Sequence, residues 1–328
     1  MAEWIEWTEN VWRVVVNQEN IAYLIKCSDE ELVVIDTGSS EEMAEAIFSL
    51  VAEFGLEPES IKAIFLTCTH PDHLGGLKLL KKKSNALIYV HESSKPVFEE
   101  GKKYVLEKQF SITTTGEKIS LAWNTDIMNN LTKLPEPDKY IKGGEDIKIG
   151  DEIFIIQNTG GHSSDHILIH AYKNKASFIG DELGIYPDSE YSFFFDLTGS
   201  PEQRKKALKL FAKLKSQYLF PTFIPPIDRT DYDRVTQEAI LAQEHLETTI
   251  LETLSGYGTI KLKKLVKHIE DTLVIDWKSP YKELGVLETT IEVYLAKLIK
   301  ENLVEFNEKA TTYSFIEVEK GINRDNFY

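Results

Sequence analysis

Short apolar runs separated by turn-prone polar residues open the chain. Val11 to Val16, Ile21 to Ile25 and Leu32 to Ile35 read as strands of a β-meander, broken by Asn17, Glu19 and Asn20 and by Ser28-Asp29-Glu30. After Ser40 the period changes: Met43, Ala46, Ile47, Leu50, Val51 and Phe54 recur at helical spacing, and Gly55 ends the pattern. Ile61 to Thr67 predicts a strand, the polar segment Cys68 to Gly76 leads to a helix starting near Leu77, and Ala86 to Val90 predicts another strand. Residues at the carboxyl end of such a strand stand where α/β folds place their chemistry.

From about Lys95 to Gly150 glycines and prolines interrupt aromatic positions such as Phe110, Trp123 and Tyr140, the pattern of an insertion or lid. Strand patterning returns at Ile147 to Ile149, Ile153 to Gln157, Ile167 to Ala171 and Ser177 to Ile179, which implies a second half-sheet and a sandwich. Pro201 to Lys215 predicts a helix and Leu219 to Ile224 a last strand, so the first domain closes near Asp228 to Asp233. Beyond it come helices around Gly256-Tyr257-Gly258 and the Ser279-Pro280 turn, an amphipathic helix from Thr289 to Lys300, and a hairpin of Leu303 to Phe306 with Thr312 to Ile316. Helices followed by a hairpin predict a winged-helix module. The expected division is therefore 1–233, with the insertion at about 95–150, and 234–328.

Charge narrows the partners. The formal net charge of −16 disfavours capture by phosphate backbones or anionic membranes. Lys261, Lys263, Lys264 and Lys267 form a basic stripe, yet from Thr236 onward eleven Lys and Arg face sixteen Asp and Glu, a formal −5. A nucleic-acid partner is not expected; homodimerisation, or cover over the site mouth, is the expected role of the terminal module. Two cysteines are too few for a disulfide framework. The Glu- and Trp-containing start lacks a secretory pattern, and no stretch approaches the roughly 18 apolar residues of a spanning helix, so the expected setting is cytoplasmic.

The densest chemical signal is Thr67-Cys68-Thr69-His70-Pro71-Asp72-His73, directly after a strand. Thiolate, imidazole and carboxylate alternate within six residues, the donor mix of zinc, iron or manganese sites. Gly160-Gly161-His162-Ser163-Ser164-Asp165-His166 and Gly180-Asp181 end two further strands. Three strand ends bearing metal-ligand residue types carry far more weight than any single histidine. His91 and His170 match no motif and are read as structural; His245 and His268, in the terminal module, are read as solvated or capping. The run Phe193-Phe194-Phe195 with Tyr186 and Tyr191 is read as core or lid in preference to a substrate pocket.

On these residues the sequence resembles the metallo-β-lactamase superfamily, in its long form with a C-terminal winged helix. Val34-Ile35-Asp36-Thr37-Gly38, Cys68 to His73, Gly161-His162 and Gly180-Asp181 match its motifs. The resemblance implies an α/β fold, a four-layer αβ/βα sandwich, with His70 and His162 on one metal, Asp72 and His73 on a second, and Asp181 bridging. Asp36 is implied as an outer support; Asp165 or His166 is expected to orient His162 or to meet substrate, since ligating imidazoles donate their other N–H to an outer group. Two positions depart: Cys68 stands where the family has its first histidine, and Phe223, in Pro221-Thr222-Phe223, where it has its last.

A thiolate at Cys68 keeps the site competent for soft ions. Zinc is expected, as one or two ions, with iron or manganese as alternatives. The expected mechanism is attack by a metal-bound hydroxide, oriented by Asp72, on a small ester, thioester, lactone or related acyl substrate. The alternatives are a phosphodiesterase or ribonuclease of the same fold, and a ligand-binding protein with a degenerate site.

Overall fold

Alternation of period two divides the first strands between two faces, and the computed structural model, which describes residues 2–17, 20–109, 128–184, 194–273 and 285–316, shows where each face goes. Ile21, Tyr23 and Ile25 on one side of a strand, and Ala22 and Leu24 on the other, enter different cores. Both faces being buried explains the nearly continuous apolar runs.

The first sheet takes its strands in chain order: β1 (Ala2–Thr8), β2 (Val11–Val16), β3 (Asn20–Lys26), β4 (Leu32–Ile35), β5 (Ile61–Phe65), β6 (Leu87–His91) and β7 (Lys139–Ile141). Pairing is antiparallel as far as β4. From β4 to β7 it is parallel, with α1 (Glu41–Glu53) and α2 (Leu77–Ser84) as crossovers. The second sheet runs β13 (Ile227–Asp228), β12 (Tyr218–Pro221), β11 (Ala176–Gly180), β10 (Ile167–Ala171), β9 (Glu152–Asn158), β8 (Asp146–Ile149). Of its pairs only β11 with β12 is parallel.

Between the sheets lie Tyr23, Ile35 and Phe65 from the first and Phe154, Ile169, Phe178 and Phe220 from the second. Met43, Ile47 and Leu50 of α1 and Leu77 and Leu80 of α2 cover the outer face of the first sheet. Ala207, Leu208 and Phe211, on the helix Pro201–Phe211, cover Leu168, Ile179 and Leu219 of the second. The layers are helix, sheet, sheet, helix.

The stretch read as an insertion is only partly one. It holds α3 (Lys95–Glu100) and α4 (Lys102–Tyr104), but β7 completes the first sheet and β8 begins the second. The helix at Pro201–Phe211 is α5. Then come α6 (Tyr232–Tyr257), β14 (Thr259–Lys261), α7 (Leu262–Thr272), α8 (Val286–Lys300), β15 (Val304–Asn307) and β16 (Thr312–Phe315), the last sheet ordered β14-β16-β15. The expected boundary near 233 falls in the first turn of α6, whose Tyr232, Ala239 and Ile240 pack on the sandwich while Leu246, Ile250 and Leu254 pack with α7 and α8. Phe110, Trp123, Tyr186, Tyr191, Phe193 and the Ser279-Pro280 turn lie outside the described residues; Phe194 and Phe195 are core, as expected. Among the described residues no helix is long and apolar enough to cross a membrane.

Candidate metal centre

The carboxyl ends of β4, β5, β11 and β12 and the β9–β10 connection meet at one edge of the sandwich. Asp36 leaves β4 with φ 57°, a left-handed conformation that Asp tolerates better than most residues. There Oδ1 accepts the Thr67 N–H at 2.8 Å and Oδ2 the Thr67 hydroxyl at 2.7 Å. The Thr37 N–H and hydroxyl both donate to the His73 carbonyl, at 3.0 and 2.6 Å. The segment 67–73 is thus held at both ends. Within it a 3-10 turn spans Pro71–His73, with proline at the first position, where no N–H is needed.

From the other sheet, the backbone N–H of Asp181 donates to His166 Nε2 at 3.1 Å. His166 Nδ1 therefore carries the ring proton and faces Glu182 Oε2 at 3.0 Å. Gly180 has φ 48°, and a Cβ there would lie 2.5 Å from His166 Nε2 and 2.6 Å from Thr67 Oγ1, so only glycine fits. The Ile167 N–H donates to the Thr67 carbonyl at 2.8 Å, joining the two sheets beside the site.

Five of the six expected ligand residues converge. His162 Nε2 lies 3.1 Å from His70 Nδ1 and 3.7 Å from Asp181 Oδ2, and His73 Nε2 lies 3.1 Å from Asp181 Oδ2. Cys68 Sγ stands 3.6 Å from His70 Nδ1. Two donor groups result, His70–His162–Asp181 and Cys68–His73–Asp181, each with its donor atoms within 4.8 Å of one another. Nitrogen donors at zinc distance in a tetrahedral shell stand roughly 3.3 Å apart, close to these separations. The grouping departs from expectation at one point: the thiol, not Asp72, shares a group with His73 and Asp181. Asp72 lies outside both, and its buried Oδ1 has no hydrogen-bond partner, nor has Asp181 Oδ1.

Each imidazole turns its other nitrogen to an oxygen. His70 Nε2 faces Asp196 Oδ2 at 3.1 Å, His73 Nδ1 faces Asp36 Oδ2 at 3.1 Å, and His162 Nδ1 faces the Phe194 carbonyl at 3.4 Å. Asp36 thus stands in its expected place; the oxygen facing His162 is a backbone carbonyl, and the His166 ring meets that of His162 edge to face, with centroids 5.9 Å apart. Asp165 accepts from the Thr69 N–H and hydroxyl and from the Ser163 and Ser94 hydroxyls, pinning the two ligand loops together. His166 holds the backbone of Asp181. Asp196, Glu182 and the Phe194 carbonyl were not anticipated. At the family's last-ligand position Phe223 packs against the helical core, and the Thr222 N–H donates to the Gly180 carbonyl at 3.1 Å.

Burial works to lower the His70 and His73 imidazoles, yet Cys68, with Asp196 at His70 and with Asp36 and Asp181 at His73, holds both well above the ordinary range. Burial and neighbouring His70 push His162 well below it. Burial raises the Asp72 carboxyl, with Asp181 adding to the rise. Burial would raise Asp181 too, but His73 and His162 hold it below the usual carboxylate range. The anionic neighbours of His70 and His73 thus favour positive charge at this edge. The Cys68 thiol, the Asp181 carboxylate, the orphaned oxygens of Asp72 and Asp181 and the inward imidazole nitrogens are a donor set that a divalent cation fits.

His91 and His170 are structural, as expected: His91 Nδ1 accepts the Ser93 N–H at 3.2 Å, and His170 Nδ1 meets the Ser177 hydroxyl at 2.9 Å.

A family model described as the metallo-beta-lactamase superfamily matches residues 20–222. A metallo-beta-lactamase family protein from Thermus thermophilus is similar in structure, with a TM-score of 0.68 at 18% identity over 95% of this chain and 100% of that one. A beta-lactamase domain protein from Burkholderia ambifaria gives 0.70 at 15% identity over 96% and 94%. A metallo-beta-lactamase from Pontibacter korlensis gives 0.52 at 15% identity, covering 74% of this chain and 99% of its own. At these identities the likeness is one of fold. No curated protein matches.

Proposed function

The chain belongs to the metallo-beta-lactamase superfamily, whose members are generally metal-dependent hydrolases, and from that premise we propose that it hydrolyses a small ester, thioester, lactone or related acyl substrate. The proposed ligands are Cys68, His70, His73, His162 and Asp181, for one or two zinc ions, with the Asp72 carboxylate, outside both donor groups, proposed as a further donor. One observation carries the reading: three imidazoles present their inner nitrogens to Asp181 and Cys68, each with an oxygen facing its outer nitrogen. That arrangement suits imidazoles that offer their inner nitrogens to a metal while an oxygen holds the outer N–H.

When bound, a divalent cation supplies Lewis acidity that polarises an acyl oxygen and activates water. The rest falls to the chain. Cys68, an anionic donor where the family has an imidazole, tempers that acidity and suits zinc among the candidate metals. Asp72, with its carboxyl pushed up by burial and Oδ1 unpaired, is placed to take a proton from the attacking water and to orient it. Asp36, Asp196 and the Phe194 carbonyl keep the imidazoles from turning during the reaction.

We read residues 234–328 as a winged-helix-like module, on the order helix, strand, helix, helix, hairpin. Its net acidity supports a small-molecule substrate over a nucleic acid. Both cysteines are free and buried, which supports a reducing, cytoplasmic setting.

The test is metal analysis of the purified chain, followed by assays with ester, thioester, lactone and phosphodiester substrates before and after chelation. Expected are bound zinc and metal-dependent turnover of an acyl substrate, with His162→Ala and Asp181→Ala each losing the metal. Unchanged metal content in both variants would refute the site, and turnover of phosphodiesters alone would refute the substrate class.

A further inference from the structure

The three residues Phe194 to Asp196 touch both histidines of one donor group. The Phe194 carbonyl faces His162 Nδ1 at 3.4 Å, Asp196 Oδ2 faces His70 Nε2 at 3.1 Å, and the Asp196 N–H donates to the His162 carbonyl at 3.0 Å. Their own anchors come from outside the ligand loops. Arg204, fully buried on α5, donates from Nε to the Glu182 carbonyl at 2.7 Å, from Nη1 to the Phe194 carbonyl at 3.2 Å, and from Nη2 to the Leu183 carbonyl. One guanidinium thereby ties the loop carrying Asp181 to the carbonyl that orients His162. Gly184 makes room for it, since a Cβ there would lie 2.1 Å from Nη2.

The second anchor is on α8, in the terminal module. The Phe195 N–H donates to Thr290 Oγ1 at 3.1 Å, and the Phe195 ring lies between the Arg204 guanidinium, 4.8 Å from its centroid, and Tyr294, whose ring centre is 5.8 Å away. Thr290 and Tyr294 are fully buried and Phe195 nearly so. No water reaches these groups, so a Phe195 N–H that lost Thr290 would move the tripeptide to find another acceptor.

We propose that Thr290 and Arg204 are positioning residues of the metal centre, acting through Phe194 to Asp196 on the ring orientations of His70 and His162, and that α8 is thereby part of the site's support. The inference rests on the metal reading above. Removing direct partners of metal-binding histidines weakens affinity by about 10–100-fold; Thr290 stands one bond further out, so the lower end of that range is expected.

The test titrates metal-free protein with zinc against a competing chelator, for the wild type, Thr290→Val, Thr290→Ser and Leu298→Ala. Leu298 is fully buried on α8 and belongs to its packing, not to the tripeptide's hydrogen bonds. Expected is an affinity about tenfold weaker in Thr290→Val, restored in Thr290→Ser, and kept in Leu298→Ala despite lower stability. Arg204→Lys, which keeps the charge but cannot span three carbonyls, gives the same readout should Thr290→Val fail to fold. Wild-type affinity in Thr290→Val or in Arg204→Lys, or an equal loss in Leu298→Ala, overturns the proposal. A wild type that takes up no zinc overturns the metal reading itself, and this inference with it.

Discussion

Asp165 takes no part in either donor group, yet four donors from three segments end on its carboxylate: the Thr69 N–H and hydroxyl, Ser94 and Ser163. Burial would raise that carboxyl, but Ser163 and Thr69 outweigh it and hold it below the ordinary range. With the folded value depressed, the unfolded chain takes up the proton first as pH falls. Its stabilisation is therefore complete above about pH 4 and is lost as pH drops further, through the folded value. Asp165→Asn should lower unfolding free energy by about 2–3 kcal/mol at neutral pH. Chemical denaturation should also show a flatter loss of stability in acid for the variant than for the wild type. Equal stability of the two proteins would remove Asp165 from its role.

At this scale the sequence shows the donors and hides what orients them. Cys68, His70, His73, His162 and Asp181 were legible because each ends a strand in a cluster of ligand-type residues. The Phe194 carbonyl was not, because a backbone oxygen has no residue signature, and Asp196 was hidden by the aromatic run before it. Arg204 left a trace that could have been read: it stands three, four and seven residues before Ala207, Leu208 and Phe211, extending the buried stripe of α5 by a turn.

Among the elements, β11 depends most on its last residue. Alanine at Gly180 would have to keep φ 48° while its Cβ pressed on His166 and Thr67. Left-handed strain alone costs roughly 1–2 kcal/mol; relieving the clash would also displace the Asp181 N–H from His166. Gly180→Ala is expected to weaken zinc binding as well as stability, readable by chelator competition and thermal melting. Wild-type metal affinity in a folded variant would show that the β11 end tolerates movement.

Central strands and the crossover helices were readable from alternation and helical period, whereas the two edges of the first sheet were not. In β1 the Glu-rich sequence Ala2–Thr8 is largely exposed, and β7 is three residues long, so neither builds the apolar pattern that marks a strand. Their place comes from pairing with β2 and β6, a tertiary cause that no local window contains.

For the molecule as a whole, the two sheets hold their strand ends together through the interior core, and the terminal helices close over the segment that orients two histidines. A metal bound only by the assembled edge must stabilise the entire fold, by about 2.7 kcal/mol at a hundredfold excess over its dissociation constant. Zinc should raise the melting temperature of the wild type and leave that of Asp181→Ala unmoved; equal shifts in both would place the binding elsewhere.

The central claim is that thiolate, imidazole and carboxylate donors from separate strand ends meet on one ion. X-ray absorption at the zinc edge of the loaded protein tests it most directly. A mixed shell is predicted, with sulfur at about 2.3 Å beside nitrogen and oxygen at about 2.0–2.2 Å, the sulfur disappearing in Cys68→Ser. A shell of oxygen alone, or one that Cys68→Ser leaves unaltered, would contradict the account.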